Sequence, residues 1–132
     1  MCIRDRVRGN CSLITGVPGV SDTIRINGII DRYLEHSRIF IFANGGDEKM
    51  FIGSADWMPR NLDNRVEVIT PVYDSRIKED LWKVIDFGLR GNCQGSVVDG
   101  SGKNCLWTTD TEESFRSQEE LYKYYKSHIT ND

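Results

Sequence analysis

The chain has 132 residues, of which 39% are hydrophobic and 28% charged, and its net charge is −3. That length forms one domain or a piece of one, burying roughly 68% of the unfolded surface, and the composition excludes a disordered chain. The acidic balance excludes the bulk basic footprint of a general nucleic-acid binder. The longest strongly apolar run, Ile39 to Ala43, is far too short to span a bilayer, and no apolar stretch of a secretory signal comes after the charged start.

In chain order, Met1 to Arg6 carries three charges and little pattern. Val7 to Ile14 reads as a strand end running into a loop, and Thr15 to Asp22 holds the turn formers Gly16, Pro18 and Gly19. Ser21 or Asp22 is placed to cap the next element. Ile24 and Ile26 alternate like a strand, and Ile29, Ile30, Tyr33 and Leu34 switch to helical spacing, predicting a short helix. Arg38 to Ala43 is β-rich, Asn44-Gly45-Gly46-Asp47 is a hairpin turn signal, and Lys49 to Ser54 is the returning strand. Asp56 to Asn64 reads as a loop around Pro59, and Arg65 to Val72 alternates as a strand. Ser75 to Leu89 carries an apolar stripe of Ile77, Leu81, Val84, Ile85 and Leu89, with Gly91 placed to end the helix. Cys93 to Asp110 reads as strand, turn at Asp99–Gly102, strand. Ser117 to Ser127 reads as a terminal helix with Leu121, Tyr124 and Tyr125 on one face. The fold class expected is α/β, a mixed β-sheet flanked by helices.

Cys2, Cys11, Cys93 and Cys105 lack the two-to-four-residue spacing of a zinc knuckle. Cys93 and Cys105 flank a Gly/Asp/Ser-rich stretch and are candidates to meet across a hairpin. With no signal peptide, free thiols are expected. Trp57, Trp82 and Trp107 read as core or sheet-cover residues in preference to a stacking role for Trp57 against adenine.

The informative stretch runs from His36 to Trp57. His36 and Arg38, two apart at the start of a strand, point to one face. A hairpin would bring Gly53-Ser54-Ala55-Asp56 beside them. An imidazole, a guanidinium, a hydroxyl and backbone N–H groups around one point suit a phosphoryl group. Against this stands the ordinary reading of a surface or structural histidine. Arg65 and Glu67 share a strand face and are expected either to orient His36 or line a phosphate channel, or to form a plain surface ion pair. Arg38, Arg60 and Asn61 are candidate polyphosphate contacts. Lys49 reads as solvated, and Asp56 as a loop-ordering residue that caps nearby N–H groups.

The pattern His36-x-Arg38, strand, turn, strand, Gly53-Ser54-x-Asp56-Trp57 resembles the half-site of the phospholipase D superfamily, written HxKxxxxD followed by GSxN. Arg38 stands for the Lys, Ala43 for the Asp and Asp56 for the Asn, which weighs against a generic phosphodiesterase. Closer still, Val7-Arg8-Gly9-Asn10-Cys11-Ser12-Leu13, Arg32-Tyr33-Leu34-Glu35-His36-Ser37-Arg38 and Ser54-Ala55-Asp56-Trp57-Met58-Pro59-Arg60-Asn61-Leu62-Asp63 resemble the carboxy-terminal domain of bacterial polyphosphate kinase. The resemblance implies a phospholipase D-like half domain over residues 7–132, preceded by a non-matching segment 1–6. It implies reversible transfer of the terminal phosphoryl of ATP to inorganic polyphosphate through a phosphohistidine in an earlier domain. Magnesium would be held in that earlier part, and none of its ligands is expected here. His36 would be the second, catalytic histidine and Arg8 the arginine that contacts the nucleotide phosphates. The full-length enzyme would be a homo-oligomer, cytoplasmic or peripheral to the inner membrane face.

On this reading the chain is a fragment, inactive alone, whose charged Cys2-Ile3-Arg4-Asp5-Arg6 replaces an inner strand. Low stability or self-association is then expected. Two other functions stay open: a non-catalytic polyanion- or nucleotide-binding module, and a phospholipase D-like phosphodiesterase half-site completed in a dimer.

Overall fold

The structure, a computed structural model, describes residues 3–8, 11–99, 103, 105–107 and 113–129. Cys2, Gly9, Asn10 and most of the turn expected at Asp99–Gly102 lie outside the described residues. The chain is mixed α/β, and among the described residues its strands divide over two three-stranded sheets in two compact units. One unit comprises residues 1–34 and 84–132, the other residues 35–83.

In the first unit, β1 (Ile3–Val7) pairs parallel with β2 (Ile24–Ile29), and β2 pairs antiparallel with β6 (Gly95–Val97). β1 corrects the reading of Ile3 to Arg6 as unpatterned. A ladder of backbone bonds at a sheet edge tolerates polar side chains, so Arg4 and Asp5 stay exposed while Arg6 and Val7 are half-buried. The central strand β2 carries the core, with Ile26 and Ile29 buried beside Asn27.

The loop before β2 closes on itself. Ser21 is not a helix cap: its buried hydroxyl donates to the Ile14 carbonyl and accepts from the Val17 N–H. The element after it is the strand expected from Ile24 and Ile26.

The short helix expected through Ile30–Leu34 is absent, because side chains from far along the chain claim its backbone. The Gln118 amide accepts from the Tyr33 N–H and donates to the Tyr33 carbonyl, both at 2.8 Å. The Asp31 carboxylate, only 1% exposed, takes the Arg116 guanidinium at 2.6 Å. That guanidinium holds the Asp31 carboxyl below the ordinary carboxylate range.

Helix α2 (Ser75–Arg90) forms where the apolar stripe predicted it, with Leu81, Val84, Ile85 and Leu89 half-buried and Ile77 exposed, and stops where Gly91 donates its N–H to the Phe87 carbonyl. Asp74 accepts from the Arg76 and Ile77 N–H groups at its start. Gly88 lies against the Arg6 side chain, whose Nη2 donates to Ser117 Oγ at 3.0 Å. A Cβ at Gly88 would overlap that guanidinium. Helix α3 (Ser117–Ile129) forms as expected, and Phe87 of α2 meets Tyr124 edge-on.

Among the described residues, the strand pair around the Gly-rich stretch consists of β6 and a bridge from Ser96 to Leu106. The Val97 N–H donates to the Cys105 carbonyl, so Cys105 stands opposite Val97, four residues beyond Cys93. The two sulfurs therefore do not meet, and Cys11, Cys93 and Cys105 are free thiols.

In the second unit, β3 (Ile39–Phe42), β4 (Lys49–Gly53) and β5 (Ile69–Val72) form an antiparallel sheet in that order. The β3–β4 turn has positive φ at Asn44, Gly45 (66°) and Gly46 (105°), which glycine adopts without steric cost. Met50 stands opposite both Ile41 and Val72, so one face gathers these three, with Met50 and Val72 buried. The other face carries Phe40, Phe42 and Phe51, and by alternation Arg38. Trp57 is 73% exposed and stacks on Phe40 at 5.8 Å between centroids, which makes it a sheet cover and not core. Trp82 donates to Glu48 in this unit, and Trp107 to the Leu89 carbonyl in the other. Lys49 pairs with Asp47, two residues before it.

Candidate functional site

The site is built on the end of the β3–β4 hairpin. His36 stands three residues before β3 and is exposed; Arg38 lies two residues on, directly ahead of the strand. Arg38 Nη1 donates to His36 Nδ1 at 2.5 Å and to the His36 carbonyl at 2.7 Å. The other edge of the guanidinium is taken by Asp56, whose Oδ1 accepts from Nε at 3.0 Å and from Nη2 at 2.7 Å. Asp56 thus orders the loop through an arginine side chain and not by capping N–H groups. This donation by Arg38 holds the Asp56 carboxyl below its ordinary range.

A second cluster adjoins in sequence. Gly53 ends β4, and a Cβ there would stand 3.1 Å from both Ile69 Cγ1 and the Val68 carbonyl. That close approach lets the Ser54 N–H reach the Val68 carbonyl while the Ser54 hydroxyl accepts from the Val68 N–H. The same hydroxyl donates to Glu67 Oε2. The α1 turn (Pro59–Leu62) forms inside the expected loop, with proline at its first position, and buries Asn61. Asn61 Nδ2 donates to Glu67 Oε1 at 2.7 Å. The two donors, Ser54 first and Asn61 second, hold the Glu67 carboxyl below its ordinary range.

These bonds explain why β5 begins at Ile69 and not at Arg65. A side-chain hydroxyl takes the Val68 N–H, so the ladder stops there, and Val66 is 99% exposed despite the alternating pattern. Glu67 pairs with Ser54 and Asn61, not with Arg65, which stays exposed and acts on it only by charge. Arg60 Nε donates weakly to Asn61 Oδ1 at 3.4 Å. Arg8 comes directly after β1 in the first unit and is exposed. The structure therefore brings His36 to Arg38 and Asn61 to Glu67. Sequence reasoning missed Asp56 as the anchor of Arg38; the available signal was an acid placed just past the returning strand of a hairpin that opens with an arginine.

Among the described residues, no group of three or more His, Cys, Asp or Glu side chains gathers to hold a metal. Asp56 is committed to Arg38 and Glu67 to two neutral donors, so these residues do not fit a magnesium site.

Both carboxylates have folded pKa values depressed below the unfolded ones. Their contribution to stability is therefore present above about pH 4 and is lost as pH falls through the folded values. Urea unfolding measured at about pH 7 and about pH 3 is expected to show a lower midpoint in acid. Glu67→Gln should narrow that difference, with Asp56 and the buried Asp31 still titrating; an unchanged difference would count against the assignment.

The polyphosphate kinase C-terminal domain 2 family model matches residues 2–118. This chain belongs to that family. It is 44% identical over 121 residues to polyphosphate kinase of Escherichia coli (strain K12), covering 92% of this chain and 18% of that protein. The polyphosphate kinase of Rhodopirellula baltica is 48% identical over 122 residues, which are 91% of this chain and 14% of that protein. The crystal structure of polyphosphate kinase from Porphyromonas gingivalis superposes with a TM-score of 0.86 at 39% identity, over 94% of this chain and 19% of that one. The chain thus spans about a fifth or less of the polyphosphate kinases it matches. The family match reaches back through β1, and the fold is that of the family's phospholipase D-like C-terminal domain. No described helix is long and apolar enough to cross a membrane.

Proposed function

We propose that this chain is the part of a polyphosphate kinase that binds the nucleotide phosphates. In the complete enzyme the terminal phosphoryl of ATP passes reversibly to inorganic polyphosphate by way of a phosphohistidine contributed by another domain. The observation that carries the reading is an exposed imidazole, His36, backed by the Arg38 guanidinium in a chain of this family. His36 is the proposed catalytic residue: it hydrogen-bonds a phosphate oxygen and passes a proton to or from the leaving group. Arg8 is proposed to contact the nucleotide phosphates with its fork. Arg38 is spent on His36 and Asp56 and so supports the site from behind. Glu67, with Asn61, shapes the adjoining loop. Arg60 and Arg65 are the cations left to meet polyphosphate. Magnesium is proposed to be held by residues outside this chain, and the complete enzyme to be a homo-oligomer.

The experiment is ATP–polyphosphate exchange with radiolabel, run on this chain alone and with the rest of a polyphosphate kinase supplied. Exchange only on complementation is expected. Binding of ATP or polyphosphate without turnover in either case would overturn the proposal in favour of a non-catalytic module. Hydrolysis of a phosphodiester by two copies of the chain would overturn it in favour of a phosphodiesterase half-site.

A further inference from the structure

We propose that Asp56 is a positioning residue that, acting through Arg38, fixes His36 as the Nε2–H tautomer. Asp56 Oδ1 takes both Nε and Nη2 of the guanidinium, which occupies one edge of the fork. The remaining edge is thereby turned toward His36. There Nη1 meets two atoms, the ring Nδ1 at 2.5 Å and the backbone carbonyl at 2.7 Å. A guanidinium has N–H groups in every hydrogen-bonding direction and no lone pair to offer. Nδ1 is therefore the lone-pair nitrogen, and the ring proton sits on Nε2. Holding the carbonyl as well as the ring ties the imidazole to its own backbone, so tautomer and ring direction are set together.

The arrangement needs a fork at both ends. A lysine at position 38 would be a compact point charge, unable to keep Asp56 on one side and two His36 atoms on the other. Arg38 and Asp56, the two departures from HxKxxxxD and GSxN that lie in this contact, are thus parts of one device. The Arg38 side chain is only 15% exposed, which limits its freedom to swing away. Around the trio, the Arg60 charge acts on Asp56, and Glu35 precedes His36 in the chain.

The chain supplies its own control. His128 Nδ1 lies 2.8 Å from the Tyr124 carbonyl, which only accepts. Its proton is therefore on Nδ1, and the two histidines of this chain occupy opposite tautomers. The tautomer of His36 stands on geometry alone. That its Nε2–H faces a phosphate oxygen rests on the proposed function.

The test is two-bond 1H–15N correlation on the full chain labelled with 15N-histidine, at about pH 8, above the ordinary imidazole range. Expected are a protonated Nε2 and an unprotonated Nδ1 for His36, and the reverse for His128. In Asp56→Ala and in Arg38→Lys, the two His36 nitrogens should shift toward the average of exchanging tautomers, with His128 unmoved. A proton on Nδ1 of His36 in the unaltered chain overturns the proposal. So does a pure Nε2–H signature that persists in Asp56→Ala. Should Asp56→Ala not fold, Asp56→Asn keeps one acceptor oxygen without the charge and should shift in the same direction by less; an unchanged spectrum overturns the proposal. Loss of the polyphosphate kinase reading would leave these spectra as they are, so the two failures are distinguishable.

Discussion

Changing His36 to Ala is expected to lower ATP–polyphosphate exchange by the complemented enzyme about 10²–10⁴-fold, the range that one positioned proton donor or acceptor contributes. The side chain is exposed and its ring is hydrogen-bonded to Arg38, a surface contact, so folding should survive. Circular dichroism of the variant should match the parent chain. The loss should fall on kcat together with kcat/KM, because a group that stabilises developing charge acts chiefly in the transition state. Arg8→Ala should instead raise KM for ATP, because a clamp on the phosphates acts in the ground state as well. An exchange rate within about threefold of the parent for His36→Ala, far short of the loss expected of a proton-transfer group, would remove this histidine from the chemistry.

The largest effect on stability is expected at Met50. Truncation to Ala should cost about 2–4 kcal/mol, within the range for deleting a buried Met or Leu side chain. Met50 is 1% exposed on the middle strand of a three-stranded sheet, opposite Ile41 and Val72. The buried apolar residues of that unit, among those described, are Met50, Ala55 and Val72. Few neighbours are available to close the cavity. A domain is stable by only about 5–15 kcal/mol, so the change should be plain in a urea melt. Met50→Leu, which nearly conserves volume, should cost less than about 1.5 kcal/mol. Equal midpoints for Met50→Ala and the parent would show that this side chain does not hold the sheet.

The sequence made some elements plain and concealed others, for physical reasons. The β3–β4 hairpin was legible because its turn needs positive φ and Asn44-Gly45-Gly46 supplies it. Helix α2 was legible because its apolar stripe is local. The stretch Ile30–Leu34 was not, because its conformation is imposed by Arg116 and Gln118, and no local pattern records partners at that distance. Arg65 to Val68 misled in the opposite sense: alternation of apolar and charged residues looked like a strand, but one serine hydroxyl intercepted the ladder. At the site, the nearness of His36 and Arg38 was legible in their two-residue spacing, but their hydrogen bond was not. The commitment of Asp56 to Arg38 required knowing how the hairpin closes, as did that of Glu67 to Ser54 and Asn61. The two thiols flanking the Gly-rich stretch are free, as expected, and the register shows why they do not meet across the hairpin.

The grip of Gln118 and Arg116 on residues 31–33 has a bearing on how the chain is made. Polypeptides leave the ribosome amino end first. Asp31 and Tyr33 are 85 positions ahead of the groups that satisfy them. Until those groups emerge, a carboxylate destined for the interior and a bare peptide unit must stay in water. The first unit therefore cannot mature in step with translation: its early strands wait, and their last contacts close only after residue 118 is free to reach back.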